Sequence, residues 1–149
     1  AYALSVDGDL INRKAPVRNI SRLLVFKIGG TAKLPPEPEL AALPLDPPPS
    51  KAAPEVIAVG QMKYGRYCAV CHAPGAVGST VLPDLRRAGS LESAQAWSAV
   101  VHDGVLASNG MASFKGSLSK DEIEAIRAYV IHRANEDKAL EGGRTIARR

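Results

Sequence analysis

The run Cys68-Ala69-Val70-Cys71-His72 sets the reading of the whole chain. Two thiols separated by two residues lie on one helical turn, within reach of the two vinyl groups of a single porphyrin. The imidazole that follows is then held beneath the iron. The spacing therefore reads as a covalent attachment site for a c-type haem. Two other chemistries use Cys-x-x-Cys. A zinc half-site needs two further ligands, but the chain has no third cysteine, and His102 and His132 lack zinc-type spacing. A thioredoxin-like dithiol expects a βαβ setting, which the surrounding sequence does not show.

An iron held by His72 needs a ligand on its other face, and few residues qualify. Met62 lies on the same helical run as Cys68, which places it in helix packing and away from the opposite face. Met111 stands far downstream in the polar loop Ser108-Asn109-Gly110-Met111-Ala112-Ser113, where glycine permits close backbone approach. Met111 is the candidate second metal ligand, although a methionine there also reads as a gap-filling core residue. A histidine–methionine pair raises the reduction potential into the range useful for electron transfer. His102, the rival, sits at the end of a helix beside Asp103, and His132 reads as a surface residue of the last helix.

Three further residues are candidate cofactor contacts. The second ring nitrogen of a metal-bound histidine usually donates to a carbonyl or carboxylate. In Val81-Leu82-Pro83-Asp84-Leu85 the Pro83 carbonyl is placed to be that acceptor for His72. Arg86 and the Trp97 indole, with Arg87, are candidate partners for the haem propionates.

Working outward, the sequence is helical on both sides of the site. Val56, Ile57, Val59, Gly60, Met62, Tyr64 and Tyr67 lie on a first helix that starts at Pro54 and runs into the cysteines. A second covers Ser93 to about Asp103, with Ala94, Trp97, Val100 and Val101 on one face and Gly104 ending it. Ser119 and Glu122 form a capping box for a third, in which Ile123, Ile126, Val130 and Ala134 recur at helical spacing.

Upstream the pattern changes. Eight of the eleven prolines fall between Pro35 and Pro54, so residues 34–53 form a proline-rich linker or surface strap. A free spacer of that kind extends by about 3.1 Å per residue, roughly 60 Å at full stretch. Before it, Arg22-Leu23-Leu24-Val25-Phe26-Lys27-Ile28-Gly29-Gly30 reads as one strand closed by a glycine turn. A lone strand is not a domain, so residues 1–33 either pack on the second part of the chain or belong to a sheet whose other strands lie elsewhere. The chain opens Ala1-Tyr2-Ala3, which fits a piece of a longer protein. The last residues, 136–149, read as a basic tail with a frayed end.

Composition limits the alternatives. The 149 residues are 46% apolar and 23% charged, and aromatics make up only 5%, so a large apolar cofactor would carry much of the core. The net charge of +4 is spread along the chain and forms no concentrated basic stripe of the kind that reads nucleic acid. No run of about 18 apolar residues offers a membrane span.

Together these residues resemble the class I cytochromes c over residues 54–135. Gly60 and Tyr64 stand eight and four residues before Cys68, like the glycine and aromatic of that family's first helix, and Tyr129 matches the aromatic of its last. The resemblance implies an all-α class I cytochrome c fold around one covalent haem c, preceded by a strand remnant and a proline-rich linker. Within the family the chain looks most like the carboxyl-terminal cytochrome domains of quinohaemoprotein alcohol dehydrogenases that use pyrroloquinoline quinone (PQQ). The stretches Val81 to Arg87, Gly110 to Phe114 and Glu124 to Ile131 carry this likeness. Many class I cytochromes place proline soon after the ligand methionine, and Ala112 departs from that. Arg22 through Pro35 resembles the closing strand of the dehydrogenase β-propeller and its exit into the linker. The implied partner is then that propeller, with PQQ and calcium outside this chain. Electrons would leave to an external acceptor such as a copper protein, a cytochrome or an oxidase. The implied compartment is the periplasm, and no catalytic residue is assigned here. The alternative is an independent periplasmic soluble cytochrome c.

Overall fold

The computed structural model describes residues 26–33, 44–78 and 82–147. Four α-helices follow in order, α1 (Pro54–Tyr67), α2 (Ala69–His72), α3 (Ala94–Val101) and α4 (Lys120–Ala147). Short 3-10 turns join them at Pro74–Ala76, Leu85–Arg87, Gly89–Glu92 and Ala107–Asn109. The described residues contain no strand, in keeping with an all-α fold.

Helix α1 begins where the sequence stiffens the chain. Pro54 occupies the first turn, where its missing N–H costs nothing, Glu55 faces the positive end of the helix dipole and Arg66 the negative end. Helix α4 opens with a complete capping box. The Ser119 N–H donates to Glu122 Oε2 at 2.8 Å and the Glu122 N–H to Ser119 Oγ at 3.2 Å. Lys63 of α1 pairs with the same Glu122, so the cap also ties the two helices together. Helix α3 is capped by Ser93, whose Oγ accepts from the Ala96 N–H at 3.3 Å.

Helices α1 and α4 form the most extensive contact. They cross at Gly60, where a Cβ would run into the Ala125 carbonyl oxygen and stand 2.9 Å from the Tyr129 Cβ. The absent side chain lets the two backbones touch. Next to that crossing the rings of Tyr64 and Tyr129 meet at 5.2 Å, tilted by 48°. Ile123, Ile126, Val130 and Ala134 line the inner face of α4 and are essentially solvent-free, with Leu91, Trp97, Val101 and Leu118 closing the core from α3 and the loops. Each fully buried aliphatic side chain of that kind contributes about 1.5–3 kcal/mol.

Three expectations need correction. Of the predicted strand, residues 22–25 lie outside the described residues, and 26–33 form a turn, with the Gly30 N–H bonded to the Lys27 carbonyl. Phe26 and Ile28 stand exposed there, and a strand requires a hydrogen-bonded neighbour that is not found among the described residues. The boundary at 135 is also overrun, because α4 continues to Ala147. Arg133 reaches forward one turn to Asp137 at 3.0 Å, and Lys138, Ala139, Leu140 and Glu141 favour the helix, which then runs on through Gly142 and Gly143 against their propensity. Met62 is 63% exposed on α1 and does not pack between helices.

Of the proline-rich segment, residues 34–43 lie outside the described residues, while 44–48 lie against α4 as a strap. Leu45 is 2% exposed, Asn135 Nδ2 donates to the Pro48 carbonyl at 2.8 Å, and Lys138 Nζ meets Asp46 Oδ1 at 2.7 Å. The Asp46–Lys138 pair is solvent-exposed and adds little, so the anchor is Leu45. Leu45→Ala is expected to cost about 2 kcal/mol, the low end for a buried leucine because a surface strap can settle into the gap. Urea unfolding measures the loss, and a value near zero would mean that the strap does not hold in solution.

Candidate functional site

The cysteines sit where α1 gives way to a single further turn. Cys68 keeps its N–H on the Tyr64 carbonyl at 2.9 Å, and its own carbonyl then accepts from the Cys71 and His72 N–H groups at 3.1 and 2.9 Å. Cys68, Cys71 and His72 are thus displayed from one turn. Both thiols are free, Cys68 buried and Cys71 exposed. Burial, reinforced by the nearby Cys71, pushes the Cys68 thiol up to about 11, so it remains protonated at neutral pH.

His72 is 6% exposed, with its Nδ1 3.2 Å from the Pro83 carbonyl oxygen. A carbonyl accepts only, so this contact places the ring proton on Nδ1 and leaves Nε2 with its lone pair free. The contact depends on a glycine. Gly78 has φ +62°, and a Cβ there would stand 2.5 Å from the Pro83 oxygen and 2.6 Å from the Asp84 nitrogen. The chain leaving His72 can lie against the Pro83–Asp84 peptide only because that atom is missing.

The residue after the histidine is strained. Ala73 adopts φ +61° and ψ 160°, a region that is essentially glycine's alone. Tyr64 holds it there, donating from Oη to the Ala73 carbonyl at 2.7 Å, with the His72 carbonyl 3.2 Å from the same oxygen. Burial raises the Tyr64 phenol well above its ordinary value, so the hydroxyl keeps its proton as a donor. Nothing in the spacing of the sequence distinguished this clamp. The only signal was a polar aromatic one turn before Cys68. Tyr64→Phe keeps the ring but removes the hydroxyl, leaving the Ala73 carbonyl with only the Ala76 N–H at 3.3 Å and the His72 carbonyl with the Gly78 N–H at 3.0 Å, and is expected to destabilise by about 1 kcal/mol. A thermal melt of the variant checks this, and an unchanged midpoint would dissolve the clamp.

Met111 is half-buried in the loop after α3. Its N–H bonds to the Leu106 carbonyl at 3.2 Å, and its side chain packs with Phe114 against the core. The Phe114 ring lies 6.1 Å from that of Tyr67, the residue before Cys68, so the methionine loop and the cysteine turn meet on one side of the domain. Leu82, Val105 and Leu106, which flank Pro83 and precede Met111, are exposed apolar side chains of the type that lines a porphyrin face.

Arg86 and Trp97 are placed differently from the sequence expectation. The Trp97 indole N–H, its only donor, is spent on the Ile123 carbonyl at 3.0 Å in the core. Arg86 is 6% exposed and pairs with Asp84 and Asp137. Burial alone would weaken its charge, but the two carboxylates outweigh that and hold the guanidinium above its usual value. Both side chains thus have partners within the protein. His102 caps α3 and contacts Asp103 Oδ1 at 2.6 Å, and His132 faces Glu136 on the surface of α4. Among the described residues no group of three or more His, Cys, Asp and Glu side chains is gathered to hold a bare metal ion. Two free thiols on one turn, an imidazole with a free Nε2 and a thioether nearby form a donor set that fits haem c.

Comparison with known proteins agrees with this geometry. Residues 55–130 match the family profile described as cytochrome c oxidase, cbb3-type, subunit III. The chain is 41% identical over 122 residues to quinohemoprotein alcohol dehydrogenase ADH IIB of Pseudomonas putida, an alignment covering 81% of this chain and 18% of that protein. It is 41% identical over 118 residues to the dehydrogenase subunit of alcohol dehydrogenase (quinone) of Acetobacter aceti, covering 79% and 16%. A solved structure of quinohemoprotein alcohol dehydrogenase ADHIIG from Pseudomonas putida superposes with a TM-score of 0.58 at 35% identity, over 73% of this chain and 16% of that one. The chain thus spans under a fifth of the length of these dehydrogenases. It also aligns with cytochrome c6 of Tetradesmus obliquus at 33% identity over 87 residues, which is 55% of this chain and 96% of that protein. With the attachment turn, the freed imidazole nitrogen and these relatives together, the chain belongs to the cytochrome c family, and its cofactor is haem c.

Proposed function

We propose that this domain relays electrons singly from the quinone site of a PQQ-dependent alcohol dehydrogenase to an external acceptor. Cys68 and Cys71 would bond the haem vinyl groups, and His72 Nε2 and the Met111 sulfur would ligate the iron from opposite faces. The observation that carries the reading is the 3.2 Å contact between His72 Nδ1 and the Pro83 carbonyl, which orients the imidazole and keeps Nε2 available. When bound, haem c supplies a one-electron couple, and histidine with methionine gives it a raised potential. The rest is positioning by the chain. Tyr64 holds the turn that displays His72, Phe114 and the Leu106 carbonyl hold the Met111 loop, and apolar side chains lower the local dielectric.

The dehydrogenase assignment is supported by its length relationship. Two dehydrogenases align over about four-fifths of this chain while leaving more than four-fifths of themselves unmatched. The unmatched portion would contain PQQ, calcium and the alcohol site. The acceptor would be a copper protein, a cytochrome or an oxidase. Thioether attachment in this family takes place outside the cytoplasmic membrane, so the periplasm is the proposed compartment. Among the described residues no helix is long and apolar enough to cross a membrane. The cytochrome c6 alignment, spanning nearly all of that small protein, favours the second reading, an independent soluble carrier.

Mixing the oxidised chain anaerobically with a PQQ-loaded dehydrogenase propeller and an alcohol separates the two. Reduced haem bands that appear only with alcohol support the relay. A chain that stays oxidised there, yet is reduced by dithionite, is an independent carrier.

A further inference from the structure

We infer that Arg86 is a positioning residue for the haem iron, acting through a buried ion lock that aims the Pro83 carbonyl at His72. The inference rests on the proposed ligation of iron by His72.

The geometry is a short chain of fixed groups. Arg86 Nε and Nη2 grip the Asp84 carboxylate at 2.9 and 2.7 Å, and the Arg86 backbone N–H adds a third bond at 3.1 Å. The remaining terminal nitrogen, Nη1, reaches across to Asp137 Oδ2 of α4 at 2.8 Å. Arg86 therefore fastens the loop residue that follows Pro83 to the rigid last helix. Pro83 and Leu82 are themselves exposed, Leu82 to 37%. Leu85 packs on the core beyond them, and the Gly78 backbone bounds one face of the Pro83–Asp84 peptide. The Asp84 carboxylate adds the remaining constraint, because its grip on Arg86 closes a ring over the peptides that follow Asp84 and so pins the Asp84 end of the Pro83–Asp84 peptide to α4. A planar, bidentate guanidinium gives this ring a fixed geometry that an ammonium would not.

The consequence is electronic. An Nδ1 proton shared with a well-aimed carbonyl makes the imidazole a stronger base toward iron, which favours the oxidised state and lowers the potential. Loosening the lock weakens that bond, so the potential rises. Removing a positive charge near the iron has the opposite sign, since it also favours the oxidised state. The direction of the shift therefore distinguishes positioning from plain electrostatics, and equally from pairing with a propionate.

The test uses the haem-loaded full chain, with spectroelectrochemistry and NMR exchange of the His72 Nδ1 proton. Arg86→Met is expected to raise the potential above wild type and to speed that exchange about tenfold, the order set by losing one hydrogen bond. Arg133→Met removes an equal charge from the other partner of Asp137 while leaving the Arg86–Asp84 grip in place, and is expected to lower the potential or leave it unchanged, with exchange still slow. A fall in the Arg86→Met potential, with unchanged exchange, overturns the lock. Should Arg86→Met fail to fold, Asp137→Asn carries the test through exchange alone, which must quicken, and unaltered exchange there also overturns it. A wild-type chain that holds haem without a histidine on the iron overturns both this inference and the proposed ligation. A normal histidine signal with unresponsive exchange overturns only the inference.

Discussion

Met111→Ala lowers the reduction potential of the haem-loaded chain by on the order of 0.1 V and leaves the haem attached, a fraction of the ~0.8 V over which axial ligands tune haem. In the proposed ligation the Met111 thioether would stabilise the reduced iron, and its loss would favour the oxidised state. Attachment survives because Cys68, Cys71 and His72 occupy a separate turn, held by their own hydrogen bonds. Met62→Ala serves as the control. It removes the other methionine from a position 63% exposed on α1, and the potential is expected to stay where it was. Spectroelectrochemical titration of both variants decides the matter. An unchanged potential in Met111→Ala would remove Met111 from the iron.

The second large effect is on folding. Gly60→Val forces a branched side chain into the Ala125 carbonyl and the Tyr129 Cβ, neither of which can rotate away. The two helices that carry most of the core must then separate. The expected loss is about 3 kcal/mol or more, since the clash is with backbone and exceeds ordinary overpacking. For a domain of this size that lowers the thermal midpoint by roughly 10 °C or more. Gly65, on the same helix but with nothing within 4 Å of its Cβ position, is the comparison. Gly65→Ala is expected to stabilise by about 0.5–1 kcal/mol through helix propensity alone. Circular dichroism melts of the two variants should move in opposite directions. Equal and small shifts would mean that the helices do not cross at Gly60.

What was legible in the sequence was whatever repeats or pairs at short range. Helical periodicity and the Ser119–Glu122 box placed α3 and the start of α4, and Pro54 gave the first residue of α1. The spacing of Cys68, Cys71 and His72 was sufficient by itself, because the covalent chemistry requires all three on one turn. The carbonyl of Pro83 was reachable too, since a bound imidazole needs an acceptor and a proline fixes where the chain bends. Side-chain partners across the fold were not legible. Arg86 and Trp97 look like free donors in sequence, yet one is taken by Asp137, fifty-one residues on, and the other by the Ile123 carbonyl. Pairings of that separation exist only after the helices have packed. The strain at Ala73 was equally hidden, because the sequence shows an alanine where the backbone conformation belongs to glycine. The docking of Leu45 onto α4 and the run of α4 to Ala147 depend on neighbours that composition does not reveal.

The account stands on a haem bonded through Cys68 and Cys71. Visible spectra of the oxidised and dithionite-reduced chain, followed by acid–acetone extraction, test this most directly. Sharp reduced bands, with pigment that stays on the protein and is lost to the solvent only when both cysteines are changed to serine, are the predicted result. A chain without haem bands, or one whose pigment extracts from the unaltered protein, would contradict it and return the two thiols to dithiol chemistry.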